Sequence, residues 1–216
     1  MGLAILAAAV PSHATAVNLD FSFSPALSQN EPIPQSYGDI PGQIDLVYSS
    51  VSAPGSSTPC FDPQLRFWDV EYSNLLDVAY ACNGGTGQIK LLPLPGYQVT
   101  LQGFDLGAWP RVDRSSQVTV FAADLSTVVV LDPPPLTISG TLAKQYSFAG
   151  PQFTRLDGFA IQYGPDGFNV GIDNLRFVVS PVPAPLPLLG VAGLFAGSRN
   201  LRRRVKAVQS IKAGGT

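Results

Sequence analysis

The sequence predicts an all-β chain folded as an antiparallel β-sandwich, and three observations carry that expectation. Gly (21) and Pro (20) supply nearly one residue in five of the 216, while Glu occurs only twice, as Glu31 and Glu71. Apolar residues come in short alternating runs separated by Gly, Pro, Ser and Asp. No stretch sustains the 3.6-residue period of an amphipathic helix. With both ends set aside, about 165 residues remain, enough for one domain with a single core.

The chain in order bears this out. Val17, Leu19, Phe21 and Phe23 alternate with Asn18, Asp20 and Ser22, which predicts a half-buried first strand. A polar loop leads to a strand over 44–48, and 49–63 is Ser/Pro/Gly-rich connection. The β-prone segments 65–70 and 75–81 predict a pair of strands, followed by strands at 88–92 and 97–109. Within 97–109 the apolar parity changes between Leu101 and Phe104, which predicts a β-bulge at Gly103. Further short strands follow at 117–122, 127–131, 136–141, 146–149 and 156–163. The last strand, 167–179, changes parity between Ile172 and Leu175, so a second bulge is expected at Asp173–Asn174.

Charge is divided sharply along the chain. All 15 acidic residues lie between Asp20 and Asp173, against seven basic ones in the same body, a net of −8, whereas the six remaining basic residues lie from Arg199 onward. An acidic body excludes a nucleic-acid binder, which needs Lys and Arg on its folded surface. The N-terminal 16 residues read as an apolar run closed by Ala14-Thr15-Ala16, a signal peptide with cleavage expected after Ala16. Its opening lacks positive charge, which points to a start codon further upstream or a trimmed N-terminus. The single histidine, His13, would leave with this peptide. A His-free mature chain has no Ser-His-Asp or Cys-His nucleophile and no His-based metal site.

Only two cysteines are present, Cys60 before the 65–70 strand and Cys82 after the 75–81 strand. In an exported chain they are expected to form one disulfide joining the two strand ends, the alternative being two buried thiols.

At the other end stand Val182, Pro183, Ala184, Pro185, Leu186, Pro187, Leu188, Leu189 and Gly190, then a Gly/Ala/Phe run, then Arg199, Arg202, Arg203, Arg204 and Lys206. Pro-rich step, apolar run and basic patch, in that order, resemble the PEP-CTERM sorting tail, with Pro-Ala-Pro where the name-giving Pro-Glu-Pro would stand. The resemblance implies export, anchoring in the inner membrane before processing, removal by an exosortase-type enzyme and delivery to the cell envelope or extracellular matrix. Residues 186–198 as a helix would reach about 20 Å, short of the ~30 Å hydrocarbon core, as suits a temporary anchor. The expected organisation is a signal peptide over 1–16, a sandwich over 17–181, a sorting segment with a hydrophobic helix over 182–206 and a disordered tail over 207–216.

Gly167-Phe-Asn-Val-Gly-Ile-Asp-Asn-Leu-Arg-Phe177 resembles the closing strand of exported jelly-roll, galactose-binding-like domains. That likeness implies pairing of the first and last strands and a structural calcium, for which Asp20 and Asp173 are the candidate ligands; no other cofactor is expected.

The expected function is a non-catalytic structural or polysaccharide-binding module of the envelope or matrix, with Trp109, Trp68 and Tyr72 as candidate sugar-stacking aromatics. Trp109, in a turn before Pro110, is expected to be exposed, and Trp68 is weighed against a place in the core. A glycoside hydrolase or lyase on the same scaffold is the alternative and needs two facing carboxylates, for which Asp69, Glu71 and Asp105 are available. Ice binding is a second alternative, and it needs regular Thr ranks that Thr119, Thr127, Thr137 and Thr141 do not form.

Overall fold

The computed structural model describes residues 13–23, 26–52, 60 and 62–183. The sorting residues from Ala184 to Gly190, the basic cluster Arg199 to Lys206 and the expected hydrophobic helix lie outside the described residues, as do residues 1–12. Among the described residues no helix is long and apolar enough to cross a membrane.

Among the described residues twelve strands make two antiparallel sheets. The seven-stranded sheet contains β1 (Thr15–Leu19), β3 (Arg66–Trp68), β4 (Val78–Tyr80), β6 (Tyr97–Ala108), β9 (Lys144–Ser147), β10 (Thr154–Arg155) and β12 (Val170–Pro181). The five-stranded sheet runs in the order β2 (Ile44–Ser52), β5 (Gly85–Pro93), β11 (Phe159–Gly164), β7 (Arg114–Ala122) and β8 (Val128–Ile138). Period-2 alternation sends one face of each sheet inward. From the first sheet Leu101, Phe104, Leu106, Ile172 and Phe177, and from the second Ile89, Leu91, Val120, Phe159 and Ile161, share a single buried cluster. The two sheets therefore close one core between them as a sandwich.

β12 organises the larger sheet. One edge pairs with β6 along its length, and the other is divided between β4, at Ile172, and β1, at Leu175–Val179. First and last strands thus pair as expected. The predicted cleavage position after Ala16 falls inside β1, whose Val17–Leu19 would remain paired with β12.

Both bulges form where the parity changes predict them. Between the pairs Asp173↔Asp105 and Arg176↔Gly103, β12 carries one residue more than β6, and Asn174 there adopts φ 50°, a region Asn tolerates better than most side chains. Between Arg176↔Gly103 and Phe177↔Leu101 the extra residue lies on β6, next to Gly103.

Among the boundaries that differ from the sequence reading, the paired strands expected over 65–70 and 75–81 shorten to Arg66–Trp68 and Val78–Tyr80. β1 ends at Leu19, and Phe21 has φ 51°, so Asp20 lies just past the strand rather than in it. The segments 127–131 and 136–141 join as the single strand β8, which tolerates three prolines because it is the edge of its sheet. The strand expected over 156–163 begins later, as β11 at Phe159, after the turn that follows β10.

Cys60 and Cys82 are bonded, with Cα atoms 5.8 Å apart, and tie together the outer ends of the β3–β4 hairpin as expected.

Candidate functional site

A cleft of about 480 Å³ opens on the outer face of the seven-stranded sheet, where β4 and β1 meet along β12. Asp173 and Asn174 fall between the two pairings, Asp20 directly follows β1 and Asp77 directly precedes β4, so this one gap collects side chains distant in sequence. Asp105 of β6 faces Asp173 across the strand pair, and Gln145 of β9 extends the same row on the far side of Asp105.

Two buried carboxylates lie directly opposite each other here, Asp105 at 4% and Asp173 at 5% exposure. Like charges in that position repel, and the fold answers with donors. Asn174 Nδ2 donates to Asp105 Oδ2 at 3.0 Å and to Asp173 Oδ2 at 3.2 Å, and the Asn174 backbone N–H donates to Asp173 Oδ1 at 2.6 Å. Arg176 Nη2 reaches Asp105 Oδ1 at 3.2 Å. The left-handed turn at Asn174 aims both amide donors back at these carboxylates, which gives the bulge its electrostatic role. Burial, offset by the Asn174 N–H but reinforced by Asp105, Asp20 and Asp77, pushes the Asp173 carboxyl up to about 8. Asp77 is also raised, by burial and then by Asp69 and Asp20. Asp20 is lowered, chiefly because the Ser22 hydroxyl donates to it at 2.7 Å.

The cleft's other wall is apolar. Leu75 and Ala143 join it to a second hydrophobic cluster made with Tyr72, Val78 and Tyr80, against which Trp68, Trp109 and Phe168 pack. The segment carrying Tyr72 lies flat on the sheet because β6 and β12 present paired glycines, Gly107 and Gly171, beneath it. Ser73 Oγ accepts from the Ala108 N–H at 2.8 Å, and Asn74 Oδ1 accepts from the Ala143 N–H at 2.6 Å, which pins both loops of the rim. At the lip, Leu76 and Leu142 stand 75% and 66% exposed.

The candidate residues distribute unevenly. Asp20 and Asp173 line the same cleft, and Asp105 joins them. Asp69 accepts from Gln29 Nε2, Glu71 sits exposed in its loop, and neither lines the cleft. Tyr72 is corrected from a sugar-stacking residue to a packing one, since it is 3% exposed and its hydroxyl is committed to the Phe168 carbonyl at 2.5 Å. Trp68 and Trp109 meet edge to face with ring centroids 6.2 Å apart, both half-buried, so Trp109 does not stand free in its turn. Asp77, Asn74 and Gln145 are cleft residues that the sequence reading missed. Asp77 falls inside the strand expected over 75–81 and is freed for the cleft because β4 begins only at Val78.

Among the described residues no group of three or more His, Cys, Asp or Glu is placed to hold a metal ion. The donors of Asn174 and Arg176 already engage Asp105 and Asp173.

The chain matches no protein-family model, no curated protein and no solved structure.

A cleft of this size lies within the ~300–1,000 Å³ usual for small-molecule sites. Carboxylates accept and amides both donate and accept, so together they suit a ligand rich in hydroxyl groups. The leucines of the lip offer apolar surface to its C–H faces.

Proposed function

We propose that this is an exported protein of the PEP-CTERM kind, whose jelly-roll-like sandwich is a non-catalytic module binding polysaccharide of the envelope or matrix through the acidic cleft. The observation that carries the reading is the cleft itself, where Asp20, Asp77, Asp105 and Asp173 line one small-molecule-sized hollow with exposed Leu76 and Leu142 at its lip. Export is supported by the order of Pro-rich step, apolar run and basic cluster at residues 182–206, with an exosortase-type enzyme and the membrane as its partners. Cys60–Cys82 accords with it, because disulfides persist in oxidising compartments.

The test is a polysaccharide array probed with the full chain, with and without added calcium. Binding to at least one polymer is expected, and no binding to any would leave a purely structural role. Calcium at Asp20 and Asp173 remains part of the proposal as a test variable: binding lost on chelation would call for a metal there.

One observation favours a second reading, a glycoside hydrolase with Asp173 as general acid, namely its carboxyl held up to about 8 beside a second carboxylate. The geometry weighs against it. Asn174 touches both carboxylates, which places their oxygens nearer than the ~6.5–9.5 Å that an inverting enzyme leaves for water. A retaining enzyme would need Asp105 free as nucleophile, whereas Arg176 and Asn174 hold it. Release of reducing ends from an array ligand, lost in Asp173→Asn, would establish the enzyme instead.

A further inference from the structure

On the opposite side of the sandwich, the outer face of the five-stranded sheet carries a polar row. Ser49, Gln88, Gln162 and Thr119 are successive cross-strand partners on β2, β5, β11 and β7. Gln162 Nε2 donates to Gln88 Oε1 at 2.8 Å, and Gln88 Nε2 donates to Ser49 Oγ at 3.1 Å, so the amides form a chain perpendicular to the strands. Next to this row is Gly164, paired with Gln117, at the side of a hollow of about 150 Å³ lined by Thr86, Gln117, Thr119, Gln162, Gly164 and Pro165. A Cβ at Gly164 would come within 2.6 Å of Thr86 Oγ1, so the glycine lets Thr86 pack directly against β11 at the side of the hollow.

Three properties define what could lie there. None of the six lining residues is charged, in a body whose net charge is −8. A charged ligand group would therefore be desolvated without a counter-charge, and a polyanion would be repelled at longer range. Among the described residues, Thr86 Oγ1 and one amide oxygen each of Gln117 and Gln162 take no hydrogen bond, and hydroxyl donors would satisfy all three. The hollow is also about half the ~300 Å³ at which small-molecule pockets begin. It suits one unit of a longer chain running over an open face rather than an enclosed molecule.

We propose that the outer face of β5, β11 and β7 is a second ligand site, which holds a neutral polysaccharide with one sugar unit seated over Gly164. The inference rests on the polysaccharide-binding reading and adds a site and a ligand charge to it. The test is affinity electrophoresis of the full chain through gels containing a soluble neutral glucan or, separately, a polyuronate. Gln162→Ala and Gln117→Ala are compared with the cleft variant Asp20→Asn/Asp77→Asn, and melting temperatures serve as folding controls.

The neutral glucan is expected to retard the wild type more than the polyuronate does, and each Gln variant to lose affinity for it at least tenfold with its melting temperature preserved. Retardation unchanged in both Gln variants but lost in the cleft variant would overturn this site and leave the polysaccharide reading standing. Preference for the polyuronate would overturn the neutral assignment. No retardation by any polymer would overturn both proposals.

Discussion

Asp173 concentrates the chemistry of the cleft in one side chain, and its environment has a measurable thermodynamic consequence. Its folded value of about 8 lies above the ~3.9 of an unfolded aspartate. Between those limits the folded chain holds a proton that the unfolded chain has released, so stability falls as pH rises, by at most ~1.4 kcal/mol per pH unit from this group. The penalty is absent below the unfolded value and complete above the folded one; Asp77, also raised, acts in the same sense. Thermal melts between pH ~5 and ~8 are expected to show a declining melting temperature in the wild type and a flatter profile in Asp173→Asn, which should be the more stable of the two at pH ~8. A variant profile parallel to the wild type would place the proton elsewhere. Asn174 has a distinct task, since its turn brings a backbone donor and a side-chain donor to the same pair of carboxylates.

At the scale of elements, legibility follows the range of the interaction. The bulges in β6 and β12 could be read because each reverses the parity of apolar residues on its own strand, a local signal. The union of 127–131 and 136–141 into β8 could not, because prolines end a strand except at a sheet edge, and edge position is a property of the whole sheet. The cleft was half legible for the same reason. Asp20 and Asp173 follow from pairing the first strand with the last, whereas Asp77 arrives only through the short β4 pairing at Ile172. Tyr72 was misjudged because its local sequence does not show that the paired glycines Gly107 and Gly171 let its segment lie on the sheet. That packing predicts a cost. A Cβ at Gly107 would sit 2.5 Å from the Tyr72 carbonyl oxygen, so Gly107→Ala is expected to destabilise the fold by ~1–3 kcal/mol in a denaturant titration. The disulfide, with 22 residues of separation, predicts a loss of about 3 kcal/mol in Cys60→Ser/Cys82→Ser by the same measurement.

At the scale of the whole molecule, the two outer faces of the sandwich differ in character. One carries an acidic cleft with a leucine lip, and the other an uncharged row of amides and hydroxyls. The proposed export draws on the charge asymmetry of the sequence, a net of −8 on the body against six basic residues behind the apolar run. Intact-mass spectrometry of the exported protein is expected to find residues 186–206 removed, and their retention would make the tail a permanent anchor. The central claim, that the acidic cleft is where polysaccharide binds, meets its most direct test in calorimetric titration of the best array ligand into the wild type and into Asp20→Asn/Asp77→Asn. The account predicts at least a tenfold loss of affinity in the double variant with its melting temperature preserved; equal affinity in the two proteins would contradict it.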